Sequence, residues 1–264
     1  MSTTWTAYRR ARRRSRQAWA VLALALAAVI GGVAWFFTNG QFAVAETAVS
    51  GPDSAPVADY RWMKPVRSVA PVPAGTAAEA LETLAVKGRA GKDDYDRSSF
   101  GQAWLDADRN GCDTRNDILR RDLTQLRFSK GSKCKVAGGS LAEPYVGKPV
   151  EFERGPESSK AVQIDHVVAL GDAWQKGAKQ LTATQRSTFA NDPLNLIAVD
   201  GPANVKKGAG DAATWLPANK KFRCHYVARQ ISVKAAYRLW VTSAEKEAMK
   251  RVLASCPGQQ TIRP

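Results

Sequence analysis

The sequence predicts an α+β fold in which a short hairpin and the helix after it are embedded in a mainly helical domain, behind an N-terminal transmembrane or signal segment. Three observations predict it. Val162-Gln163-Ile164-Asp165-His166 alternates as a strand, and Leu196-Ile197-Ala198-Val199 supplies a second short apolar strand. Asp200-Gly201-Pro202 then reads as a turn into a helix, with Pro202 in the first turn, where a missing N–H is harmless. Phe222, Tyr226, Val227, Ile231, Val233 and Tyr237 form the apolar stripe of a long C-terminal helix.

Ahead of the domain, Ala18 to Phe37 is an uncharged apolar run of 20 residues behind Arg9, Arg10, Arg12, Arg13, Arg14 and Arg16. That length spans a bilayer. The arginines should stay inside, which puts everything after Thr38 outside the cytoplasm. Ala43-Val44-Ala45 offers a cleavage site, so both an uncleaved anchor and a removed leader stand as readings. Of the net charge of +15 the six arginines carry six, leaving +9 for the remainder, a surplus suited to polyanionic partners. The expected organisation is a basic cytoplasmic tail at 1–17, the anchor or signal at 18–37, a Pro/Gly/Ser/Ala linker at 38–75, the folded domain at 76–256 and a tail at 257–264. Trp62 and Met63 in the linker either dock on the domain or stay exposed.

Thr76-Ala77-Ala78-Glu79 is a capping box that opens a helix carrying Leu81, Leu84 and Ala85. Tyr95, Phe100 and Trp104 follow as aromatic anchors. Asp106, Asp108, Asn110, Gly111 and Asp117 take the first, third, fifth, sixth and twelfth places of a calcium-loop pattern, with Asp where Glu is usual at the last. The competing reading is a turn that caps a helix starting near Thr114. Arg115 could reach a phosphate or pair with Asp113 or Asp122. Between Lys135 and Arg154, Gly and Pro punctuate short strands whose Leu141, Tyr145, Val150 and Phe152 should face inward.

After His166 a helical stretch should bury Trp174 and leave Lys176 and Lys179 on a solvated face. Thr184 to Ala190 continues helically until Asn191-Asp192-Pro193 breaks it. On the helix after Pro202, Asn204 and Lys207 share a face. Thr242-Ser243-Ala244-Glu245 starts a final capped helix. Cys112, Cys134, Cys224 and Cys256 contain no CxxC pair, which argues against zinc. Three pairings are possible, and Cys112 with Cys134 and Cys224 with Cys256 is expected because each closes a local segment in an oxidising compartment. A serine or cysteine hydrolase is weakly supported, since there is no Gly-x-Ser-x-Gly elbow.

His166 and His225 are the chain's two histidines. Taken alone, His166 reads as a hydrogen-bonded core imidazole and His225 as structural. The order Asp165-His166, then Asn195-Leu196 entering a strand, then Asn204-x-x-Lys207 on a helix resembles the HNH endonucleases, and most closely the secreted family related to the C-terminal domain of GmrSD restriction enzymes. The likeness runs from about Arg109 to Cys256. It implies a ββα-metal core, with His166 as general base and Asp165 and Asn204 holding one Mg²⁺ or Mn²⁺. Asn195 would brace the His166 loop, and Lys207 and Arg115 would bind phosphate. Ala169, three beyond His166, departs from the Pro that many relatives carry. The resemblance implies a monomeric, extracytoplasmic nuclease acting on DNA, or on RNA, membrane-associated if the leader is kept. The alternative is an inactive envelope-anchored module that binds nucleic acid or an acidic wall polymer.

Overall fold

The computed structural model describes residues 63–263, and the apolar run at 18–37 lies outside them. Among the described residues no helix is long and apolar enough to cross a membrane. The elements in order are α1 (Ala77–Thr83), α2 (Thr114–Asp122), β1 (Leu123–Phe128), β2 (Val136–Ala142), β3 (Pro149–Glu153), β4 (Val162–His166), α3 (Leu170–Gln175), α4 (Ala183–Ala190), β5 (Leu196–Asp200), α5 (Gly201–Lys207), α6 (Arg223–Ala236) and α7 (Ser243–Leu253). It is a mixed α+β architecture with two small sheets. β1, β2 and β3 make an antiparallel meander, and β4 pairs antiparallel with β5.

The β4–β5 hairpin lies between two apolar layers, and the pleat sorts its side chains. Val162, Ile164, Leu196 and Ala198 join the cluster of Ile118, Leu141 and Phe152. Ile197 and Val199 face the opposite cluster, with Leu81 of α1, Tyr226 and Ile231 of α6 and Met249 of α7. Both faces are covered, which is why β5 reads as a continuous apolar run instead of alternating. A third cluster holds Phe100, Trp174, Phe189 and Tyr237.

Local rules explain the element ends. Thr76 and Thr242 form the expected capping boxes, and Thr182 with Gln185 forms another. α5 can follow β5 without a loop because Gly201 lets the chain pass Lys160; a Cβ there would stand 2.0 Å from the Lys160 carbonyl oxygen. Packing extends upstream of Thr76: Ala70 N–H donates to the Ala236 carbonyl at 2.8 Å, and Met63 packs against the sheet cluster. Trp62 lies outside the described residues.

Lys176 differs from its expected place on a solvated face. It is 0% exposed, and its ammonium meets Asp172, Asp211 and Glu245. A polar helical face reads as solvated by default; here the partners come from distant segments and close over it.

Both disulfides pair locally, Cys112 with Cys134 and Cys224 with Cys256, at sequence separations of 22 and 32. Restriction of the unfolded chain by loops of this size contributes roughly 3 kcal/mol each. Reduction is therefore expected to lower the melting temperature substantially; an unchanged melt with dithiothreitol would count against any stabilising role.

The Asp106–Asp117 segment forms a turn that runs into α2. Asp106 accepts from the Asn110 and Gly111 N–H groups at 3.1 and 2.9 Å, and Asn110 Nδ2 donates to Asp108 and Asp117 at 3.0 and 3.1 Å. Asp113 caps α2. Asp117 is 3% exposed, with Oδ1 buried and unpartnered. Burial raises its pKa to about 6, and neighbouring Asp108, Asp106 and Asp113 add to the rise against the Asn110 hydrogen bond. Because the folded-state value lies above the unfolded one, the charge is penalised in the fold: the penalty is absent below about pH 4 and complete above about pH 6. Asp117→Asn should accordingly gain up to about 3 kcal/mol at pH 7 and nothing at pH 4. Urea midpoints at the two pH values check this, and an equal gain at both would refute the linkage.

Candidate functional site

The antiparallel register sets Asp165 opposite Ile197 and His166 opposite Leu196, and α5 crosses beside the hairpin. Asp165 faces the helical side. Tyr145 Oη donates to its Oδ2 at 2.5 Å, and Lys207 Nζ lies 3.0 Å from each carboxylate oxygen. The same ammonium donates to the His166 carbonyl at 2.8 Å, so α5 is tied to the end of β4 through one side chain. Burial raises the pKa of Asp165 against the opposing charge of Lys207 and the Tyr145 hydrogen bond. Burial, followed by the charge of Asp165, pushes the Tyr145 phenol well above its ordinary value.

His166 is 8% exposed, and its Nε2 lies 2.9 Å from the Ala190 carbonyl oxygen. A carbonyl can only accept. Nε2 therefore carries the proton, and Nδ1 keeps its lone pair. Burial lowers the imidazole pKa to about 4; the Ala190 hydrogen bond opposes this, while the charges of Arg97 and Lys207 lower it further. The ring is neutral at physiological pH.

The loop beyond His166 is held from the opposite strand. Val168 N–H donates to Asn195 Oδ1 at 2.9 Å, and Val167 N–H to the Asn195 carbonyl at 2.8 Å. Asn195 is itself buried, and two arginines fix its surroundings: Arg121 and Arg229 both donate to the Pro193 and Leu196 carbonyls. Ala169 caps α3 at φ −59°, a backbone setting that Pro also adopts, so the departure at this position leaves the loop geometry accessible.

Asp165, His166 and Asn204 line one cavity of about 370 Å³, together with Gln163, Arg97 and Lys92. Asn204 Nδ2 donates to Gln163 Oε1 at 2.9 Å, which directs the amide donor at Gln163 and leaves Oδ1 as its second polar atom. Among the described residues no three His, Cys, Asp or Glu side chains are grouped to hold a metal. The cavity is bordered instead by one carboxylate, whose oxygens already meet Tyr145 and Lys207, and by one amide oxygen; both are hard donors of the kind that suit a small divalent ion keeping several waters.

Lys207 is buried, and its ammonium is turned inward to Asp165 and His166. Arg115 does not line this cavity: its guanidinium approaches the Val162 carbonyl at 3.4 Å and stacks over the Trp104 ring at 5.8 Å. His225 packs against Phe222, with ring centroids 5.2 Å apart, and does not line the cavity. Arg97, Tyr145 and Gln163 contribute to the site without having been marked by the sequence. Arg97 sits in a short 3₁₀ turn capped by Asp96, and no spacing rule connects that turn to His166. Tyr145 was legible only as an inward-facing aromatic.

Residues 113–252 match the family described as GmrSD restriction endonucleases, C-terminal domain. A protein of Arthroderma benhamiae (strain ATCC MYA-4681 / CBS 112371), described as an uncharacterized secreted protein, is 37% identical over 196 residues, covering 71% of this chain and 91% of its own length. No solved structure matches the chain.

Proposed function

Because the chain belongs to the family of GmrSD restriction endonuclease C-terminal domains, we propose that it is a divalent-metal-dependent endonuclease that hydrolyses phosphodiester bonds of DNA or RNA outside the cytoplasm. In this reading β4, β5 and α5 are an HNH-type ββα-metal core. The observation that carries it is the meeting of Asp165, His166 and Asn204 on one cavity, with the imidazole neutral and its Nδ1 lone pair unclaimed by Ala190. Two disulfides, and a relative described as secreted, support a location in an oxidising compartment.

Each residue then has a physical task. His166 Nδ1 takes the proton of the attacking water, and the Ala190 hydrogen bond fixes both the tautomer and the ring plane. Asn195 braces the loop that follows the base. Asp165 and Asn204 would hold Mg²⁺ or Mn²⁺, which supplies positive charge to the phosphate and the leaving oxygen. Lys207 acts as a positioning residue: it holds the Asp165 carboxylate in place, sharing it with the ion, and joins α5 to β4. Of the two exposed cations lining the cavity, Lys92 and Arg97, Arg97 is the one that reaches His166 electrostatically and is suited to meeting phosphate there. Arg115, engaged by Val162 and Trp104, is assigned no phosphate contact.

The test is turnover. The purified chain should nick supercoiled plasmid in Mg²⁺ or Mn²⁺, stop on addition of EDTA, and resume when the ion is restored. Cleavage indifferent to chelation would overturn the metal assignment. Salt-sensitive binding without any cleavage would favour an inactive binding module.

A further inference from the structure

A second cavity, of about 260 Å³, shares His166 and Arg97 with the first, and the mechanism above does not use it. Phe100, Trp104, Leu170 and Ala190 give it apolar walls. It is smaller than the roughly 300–1,000 Å³ typical of drug-sized ligands, which suits one ring system. Asn191 also lines it and is 1% exposed. Its Nδ2 donates to the Ser187 and Gln102 carbonyls at 3.0 and 3.4 Å. Two acceptors on one side fix the amide orientation, and the opposite atom, Oδ1, is buried with no partner. A buried acceptor left unmet is unfavourable, and this one lies behind the cavity's accessible surface. Trp104, meanwhile, is held at φ +58°, where a bulky residue is a rare outlier, and outliers of this kind gather at binding sites.

We propose that this cavity receives one unpaired nucleobase next to the scissile phosphate, lying against Trp104 and Phe100. The inference rests on the nuclease reading of His166, since that reading puts a nucleotide at the shared wall. The chemistry selects the state of the substrate. Within a duplex both faces of a base are spent on stacking with its neighbours, so a single strand offers a free base face here and an intact duplex does not. Apolar and aromatic walls accept any base face, which implies tolerance of sequence together with a preference for unpaired strands.

The experiment uses the full chain in Mg²⁺ with an oligonucleotide supplied as a single strand and as a duplex. In the single strand, each position in turn is made abasic. The single strand should be cut faster, and an abasic residue at one position flanking the cleaved bond should lower kcat/KM about tenfold, the scale of one lost base–aromatic stack. Trp104→Ala should lower single-strand kcat/KM about tenfold while duplex cleavage changes by less than about twofold, with Trp104→Phe recovering most of the loss. The duplex rate reports whether the variant is folded, and the abasic scan needs no variant at all. Equal cleavage of abasic and intact strands overturns the subsite and leaves the nuclease reading standing, as does a Trp104→Ala loss that is the same on both substrates. No cleavage of either substrate by the wild-type chain overturns both.

Discussion

His166→Ala is expected to lower phosphodiester cleavage by roughly 10²–10⁴-fold, the usual contribution of a positioned general base. The size of the effect follows from how the ring is held. The Ala190 carbonyl accepts a hydrogen bond from Nε2–H and burial lowers the pKa to about 4, so almost every molecule at neutral pH carries the base in its acceptor form. Removing the ring leaves no replacement: His225, the chain's other histidine, packs on Phe222 and lines neither cavity. The control is therefore His225→Ala, which should retain its rate. Initial rates on plasmid in saturating Mg²⁺ measure both variants, and a melting curve shows whether each is folded. A His166→Ala protein that is folded and cleaves at an undiminished rate would end the general-base assignment.

The parts of this molecule that could be read from the chain are those decided by neighbours in sequence. Capping boxes at Thr76 and Thr242, the Pro202 helix start, the two apolar strands and the local disulfides each depend on residues a few places apart, or on short loops. Motif order likewise brought Asp165, His166 and Asn204 into one hypothesis, and all three line the same cavity. What could not be read depends on partners far away. The inward turn of Lys207 is set by Asp165, 42 positions earlier. The closeness of Arg97 to His166 depends on a 3₁₀ turn docking against α4, and Tyr145 finds Asp165 across 20 positions. Lysine shows the limit most clearly, because a helical Lys is solvated unless other segments bring acids to it.

Lys176 is the case with the largest consequence for stability, and Lys176→Met is expected to destabilise the fold by about 3–5 kcal/mol, the range for breaking a buried ion pair from one side. Its ammonium stands 2.6 Å from Asp172, 2.7 Å from Asp211 and 2.7 Å from Glu245. Lys234 and Arg89 add the other cations, Lys234 to Asp172 and Glu245, Arg89 to Asp172 and Asp211. Three carboxylates thus face three cations, and removing one leaves a net buried negative charge. Burial would raise the pKa of Asp211, but hydrogen bonding and charge from Lys176, with the charge of Arg89, hold it below its ordinary value. Without Lys176 the cost of burying the charge should prevail and Asp211 should hold its proton more readily. The variant's deficit would then shrink as pH falls, because protonation removes the unpaired charge. At neutral pH the melting temperature should fall by about 10 °C for a domain of this size. Adding Asp211→Asn to Lys176→Met restores the balance of charge and should recover part of the loss, which a double-mutant cycle reads as coupling. The network joins the end of α3, the turn after α5, α6 and α7, so it also fixes the helix that carries Asn204 and Lys207 against the C-terminal helices. A Lys176→Met melt within about 2 °C of wild type would mean that Lys234 and Arg89 suffice, and that the third cation is redundant.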